Sequence, residues 1–137
     1  MIARALFALL VMAALASNAR AQPFEPLKPL DLAEVDPAMT ADLYGPWELA
    51  DESGKKSCRV VLKKTQTIGG SEIDIPPDCA RKFPIMGEIT AWRLMESWTI
   101  DFADATRKTR LRFSTPDERY VAFPDGYGIA RFAPARR

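Results

Sequence analysis

At 137 residues the chain has room for one domain and its appendages, and 19 basic against 18 acidic residues give a formal charge of +1. So even a balance supplies no electrostatic reason to seek nucleic acid or an anionic membrane. Histidine is absent, which removes the usual general base and the commonest metal ligand, and with them Ser-His and Cys-His nucleophiles and ordinary zinc sites.

Residues 1–21 read as a secretory signal peptide. Arg4 gives a positive start, residues 5–16 are an apolar run, and Ala19-Arg20-Ala21 is a small-x-small cleavage site. The run is too short to cross a bilayer, so no membrane insertion is expected after cleavage. Cleavage after Ala21 takes away Arg4 and Arg20 and no acid, so 17 basic residues then face 18 acidic ones.

Residues 22–36 form a Pro-rich arm. Pro23, Pro26 and Pro29 recur every third residue, as do Phe24, Leu27 and Leu30. A polyproline II helix turns once per three residues, so the arm has a proline edge, an apolar edge and a charged edge of Glu25, Lys28 and Asp31. Two readings follow: a stiff spacer, or an extended segment built to lie in a partner's groove.

Asp36-Pro37 is a helix start, with Asp at the N-cap and Pro at the first helical position. The helix is expected to run to about Leu43 or Tyr44 and stop at Gly45. Two turns are not stable alone, so it must dock, with Ala38, Ala41 and Leu43 as the packing face.

From Trp47 onward the apolar period is two. Strands are expected over residues 47–50, 57–63, 71–75, 89–94, 98–102, 109–114, 118–123 and 127–132. Turn compositions at Gly69-Gly70, Pro76-Pro77-Asp78, Met86-Gly87, Thr115-Pro116-Asp117 and Pro124-Asp125-Gly126 separate them. The inward set is Trp47, Leu49, Cys58, Val60, Leu62, Ile73, Ile75, Trp98, Ile100, Phe102, Leu111 and Phe113, with the alternation in the last two strands left open. An eight-stranded antiparallel up-and-down barrel over 37–132 is the simplest closure. A frayed tail is expected over 133–137.

Two cysteines in an exported chain make one disulfide, Cys58–Cys79. Closing that loop contributes about 3 kcal/mol by the chain-entropy estimate. Arg81 and Lys82 read as a solvated turn. Arg107, Lys108, Arg110 and Arg112 are the densest basic cluster; Arg110 and Arg112 flank Leu111 at strand spacing, so both point outward as edge protection. Asp101 and Asp104 do not suggest a paired-carboxylate site, and Trp92 and Trp98 read as core or rim. No catalytic residue, cofactor or metal site is expected, and the chain is read as a non-enzyme and a monomer.

Gly45-Pro46-Trp47-Glu48-Leu49, Gly54 and Cys58-Arg59-Val60-Val61-Leu62 resemble the opening of the Inh-type inhibitors of bacterial alkaline metalloproteases. Cys79-Ala80-Arg81, the later Ala91-Trp92-Arg93 and the upstream 37–43 segment are similar to further signatures of that family. The resemblance covers about residues 37–123. It implies an eight-stranded barrel with one disulfide, sited in the periplasm, that blocks a secreted serralysin-type zinc protease by occlusion. An extended N-terminal trunk would enter the cleft toward the zinc. Asp31, Leu32, Ala33, Glu34, Val35 and Asp36 lie where that trunk lies and are the expected partner-binding residues. The arm continues further upstream than a family trunk, so it must either fold back on the barrel or extend past the cleft. The alternative function is a carrier of a small apolar ligand in the barrel mouth; the bulk of Trp47, Trp98, Phe102 and Phe113 argues against an internal cavity.

Overall fold

Apolar side chains at every second position can be buried together only if the strands curl and close on one another. In a computed structural model of the chain, which describes residues 24–123 and 126–135, they do. Residues 1–23, the pair Pro124-Asp125 and the last two residues lie outside the described residues, and with them the expected signal peptide. The strands are β1 (Gly45–Ala50), β2 (Ser57–Thr67), β3 (Gly70–Asp74), β4 (Ile89–Leu94), β5 (Ile100–Asp104), β6 (Thr109–Ser114), β7 (Tyr120–Ala122) and β8 (Arg131–Pro134). Each pairs antiparallel with the next, and β8 closes the ring on β1. The all-β, eight-stranded up-and-down barrel expected from the sequence is the fold.

Register brings the inward residues face to face. Trp47 lies opposite Val60, Leu49 lies between Cys58 and Phe132, and Phe102 lies between Trp92 and Leu111. Trp47 stacks on Phe132 with ring centroids 4.5 Å apart, and Phe113 meets Phe132 at 4.8 Å and Phe102 at 5.1 Å. These rings fill the barrel. Of the expected inward set, Ile73, Ile75 and Trp98 pack against the core only partly buried, and the other nine are buried. Trp92 is fully buried, with its Nε1–H donating to Lys63 O at 3.1 Å.

The short helix starts where capping chemistry requires. Helix α1 (Pro37–Thr40) runs into a 3-10 turn, Ala41–Leu43, and Asp36 Oδ1 accepts the Ala38 N–H at 2.9 Å. Its packing face is Thr40 and Leu43: Leu43 packs as expected, while Ala38 and Ala41 are exposed and Thr40 takes their place. Trp47 Nε1–H donates to Leu43 O at 2.8 Å and ties the end of this helical segment to the barrel.

Six of the eight strands differ in bounds from expectation: β1 begins at Gly45, β3 is shifted by one residue to Gly70–Asp74, β7 is shortened to Tyr120–Ala122, and the other three differ as follows. β2 extends to Thr67. β5 begins at Ile100, because Glu96–Trp98 forms a 3-10 turn in which Ser97 (φ 60) and Trp98 (φ 57) are left-handed and break the pleat. β8 is displaced to Arg131–Pro134 because Ile129 N–H donates to Gly126 O (2.9 Å) in a turn holding Tyr127 at φ 53. Ala133 and Pro134, expected in the tail, therefore belong to the strand, and Ala135 N–H donates to Pro46 O at 3.0 Å.

The Pro76-Pro77-Asp78 turn instead opens a helix, α2 (Pro77–Lys82), which carries Cys79. The disulfide Cys58–Cys79 is formed, with sulfurs 2.05 Å apart, and pins α2 to the start of β2. Gly70 is required where it stands: a Cβ there would lie 2.3 Å from Trp92 O, so only glycine lets β3 meet β4.

Candidate functional site

Residues 24–36 lie before α1, and the barrel decides which of their side chains remain available. The arm neither hangs free nor runs outward. It returns along the outer face of the barrel at the β4–β5 connection, where Pro29 forms an antiparallel bridge with Met95. Leu30 N–H donates to Leu94 O at 2.9 Å, Glu96 N–H donates to Lys28 O at 2.8 Å, and Lys28 N–H donates to Glu96 Oε1 at 3.1 Å. β3 pairs with β4 only at Ser71–Trp92 and Glu72–Ala91, so the far end of β4 has backbone groups to offer. Of the two readings of the arm, folding back on the barrel is the one observed.

The upstream end is held by a residue read as edge protection. Arg112 points outward from β6, as its spacing requires, but it is covered: 7 % of it is exposed. Its Nε and Nη2 donate to the two oxygens of Asp101 at 2.7 and 2.9 Å, and its Nη1 donates to Glu25 O at 2.6 Å. The guanidinium lies 5.1 Å from the centre of the Phe24 ring. Asp101 is fully buried and also accepts the Thr109 hydroxyl at 3.0 Å, and Thr109 Oγ1 accepts from Arg93 Nη2 at 2.7 Å. A polar ladder thus crosses β4, β5 and β6 and ends on the arm. The edge-protection reading of Arg112 is corrected, because strand periodicity gives direction but cannot show what lies on top. Arg110 bridges Glu88 (3.2 Å) and Asp104 (3.4 Å), and Lys82 donates to Ser57 O at 2.7 Å, so Arg110 and Lys82 are partnered within the barrel.

Between the two anchors, residues 31–34 make a turn: Asp31 Oδ1 accepts the Ala33 N–H at 2.9 Å, and Glu34 N–H donates to Asp31 O at 3.0 Å. Of the six residues expected to bind a partner, Asp31, Ala33, Glu34 and Asp36 are exposed. Leu32 turns inward against the core, as does Leu30, and Val35 is half-buried. The apolar edge of the arm is therefore spent in part on the barrel itself. Beneath the turn lies a cavity of about 360 Å³ bordered by Gln66, Ser71, Arg93 and Leu94. Arg93 Nε is buried there with no hydrogen-bond partner among the described residues.

Elsewhere a groove of about 710 Å³ follows β7 and β8. Among the described residues no group of three His, Cys, Asp or Glu could hold a metal ion, and no helix is long and apolar enough to cross a membrane. No local pattern signals the Arg112–Glu25 contact, which joins residues 87 apart. The one available hint is that Asp101 and Arg112 fall at outward positions of adjacent strands, where they are direct cross-strand partners.

Residues 38–130 match the family described as "Protease inhibitor Inh". No curated protein matches the chain.

Proposed function

The chain belongs to the Inh family of protease inhibitors, and on that premise we propose that it is an exported, periplasmic inhibitor of a serralysin-type zinc metalloprotease, blocking the cleft with residues 31–36. The observation that carries this reading is the turn at residues 31–34, exposed at Asp31, Ala33 and Glu34 and held between a docked arm and the Asp36 cap of α1. Asp31, Ala33, Glu34 and Asp36 face solvent there. Inhibition is therefore occlusion: a protease cleft binds extended or gently turned backbone, and this backbone is ordered before it meets one. Ordering in advance lowers the entropy cost of binding. Family membership points the same way, to a non-enzymatic partner of a protease.

The rival reading, a carrier of a small apolar ligand, has a specific observation against it. The interior that would hold the ligand is occupied by Trp47, Phe102, Phe113 and Phe132 in mutual contact. The testing experiment mixes the purified, exported form with a panel of secreted zinc and serine proteases and measures residual activity. Stoichiometric inhibition of serralysin-type zinc proteases is the expected result. Inhibition of serine proteases alone, or of none, overturns the proposal.

A further inference from the structure

We propose that Phe24 and Glu25, latched by the Arg112–Asp101 pair, are positioning residues that present 31–36 as a loop fixed at both ends rather than as the free end of a chain; this rests on the inhibitor reading above. The argument begins with the burial of the pair. Arg112 and Asp101 are direct cross-strand partners at outward positions of β6 and β5, where Thr109 flanks Asp101 and the arm reaches Arg112. Taking an ion pair out of water costs more than its attraction returns unless the remaining donors and acceptors are satisfied. Here each guanidinium nitrogen has an acceptor, and the arm supplies the one for Nη1: Glu25 O takes that donor while the Phe24 ring lies against the guanidinium. A planar fork with two arms on a carboxylate has its third direction fixed. The latch therefore recognises the arm in one place only.

Downstream of the latch the Lys28–Glu96 and Leu30–Leu94 bonds align the arm as far as residue 30, and the Asp36 cap fixes the other end. Five residues, 31–35, span the two fixed points. With both ends held, the segment can enter a partner only as a bight. A closed tunnel, or a pocket that grips a chain terminus, would exclude it, so the partner surface it fits is an open groove. The loop carries Asp31, Glu34 and Asp36 and no basic residue, all three carboxylates exposed, so the complementary groove has a cationic rim. Releasing the latch would leave the upstream end of 31–36 held by the Lys28–Glu96 and Leu30–Leu94 bonds alone, and so more readily opened.

The test uses the full mature chain and three changes. Arg112→Gln removes the fork. Phe24→Ala removes the ring contact and leaves the Arg112–Asp101 pair intact, which keeps the test valid if Arg112→Gln fails to fold. Pro29→Cys with Met95→Cys ties the arm covalently: the two residues are antiparallel partners flanked by hydrogen bonds on both sides, a pairing whose Cα separation of about 4.5 Å a disulfide can bridge. Two quantities are read: hydrogen exchange at the Leu30 and Glu34 amides, and the inhibition constant against whichever zinc protease the panel identifies.

The latch variants are expected to speed exchange at both amides about tenfold or more and to weaken inhibition about tenfold, while the tether restores both in the Arg112→Gln background. Unchanged exchange overturns the latch. Faster exchange with undiminished inhibition, or a tether that restores protection without restoring inhibition, overturns the positioning role. If the unaltered chain inhibits no protease, the inhibitor reading fails while the exchange data still decide the latch.

Discussion

Replacing Trp47 by alanine removes the side chain on which both the barrel core and the loop's downstream anchor depend. The indole is 3 % exposed, stacked on Phe132 at 4.5 Å and edge-on to Tyr120 at 5.7 Å, and its N–H is the donor to Leu43 O. A buried aromatic removes roughly 150–250 Å² from water. At about 25 cal/mol per Å² that is about 4–6 kcal/mol, an upper figure because the unfolded chain is partly compact. Measured truncations of buried aromatics cost about 3–5 kcal/mol, and the lost hydrogen bond adds about 1 kcal/mol. A loss of about 4 kcal/mol is a large share of the 5–15 kcal/mol typical of a domain.

Urea denaturation followed by far-ultraviolet circular dichroism is the assay, since Trp92 and Trp98 would complicate fluorescence. At a slope of roughly 1.5 kcal/mol per M the midpoint should fall by about 2.5 M. Trp47→Phe, which keeps one six-membered ring but loses the N–H donor and the volume of the pyrrole ring, should cost about 1–3 kcal/mol. A Trp47→Ala protein that unfolds at the wild-type midpoint would refute the core assignment. If the two variants lose the same amount, the hydrogen bond rather than the packing is what matters.

Reducing or replacing either cysteine should cost about 3 kcal/mol and detach α2 from β2 without touching 31–36; loss of inhibition at temperatures where the fold survives would contradict that division. Burial pushes the Tyr120 hydroxyl, which donates to Trp98 O at 2.9 Å, up to about 12. Because the folded value lies above the unfolded one of about 10, its contribution is complete below pH 10 and is lost as pH rises through 12. Absorbance titration should therefore find one of the three tyrosines titrating near 12, and Tyr120→Phe should remove that step. Asp104 is held down to about 2 by the Thr106 hydroxyl first, then by backbone N–H groups of Lys108 and Thr106 and by Arg110. Its stabilising effect is present above 3.8 and fades as pH falls toward 2, so Asp104→Asn should flatten the acid limb of the stability curve in that window.

Local rules were sufficient where a segment's neighbours in space are also its neighbours in sequence. β4 and β6 fall at the expected residues because Ile89–Leu94 and Thr109–Ser114 are bounded by turns on both sides. The Asp36-Pro37 helix start is legible because a cap needs only a carboxylate two residues before the amide it accepts. α2 went unread although its signals were present: Pro at the first position and Arg81-Lys82 in the last turn. The composition Pro-Pro-Asp serves a turn and a helix start equally well. The late start of β5 depends on two consecutive left-handed residues, Ser97 and Trp98, of types that give no local warning. In the candidate site, the exposed turn at 31–34 lay within the residues singled out. Its latch did not, since Arg112, Asp101 and Glu25 meet only once the barrel has closed and the arm has returned.

The central claim, that 31–36 carries the activity and the barrel supports it, is tested most directly by inhibition constants for three forms: the mature chain, one starting at Asp31 and one starting at Pro37. Each is assayed against the same serralysin-type zinc protease after circular dichroism has established that the barrel is folded. The account predicts that the Asp31 form still inhibits, about tenfold more weakly because the latch is gone, and that the Pro37 form does not inhibit. A Pro37 form as potent as the mature chain would make the arm a spacer and move the activity to the barrel.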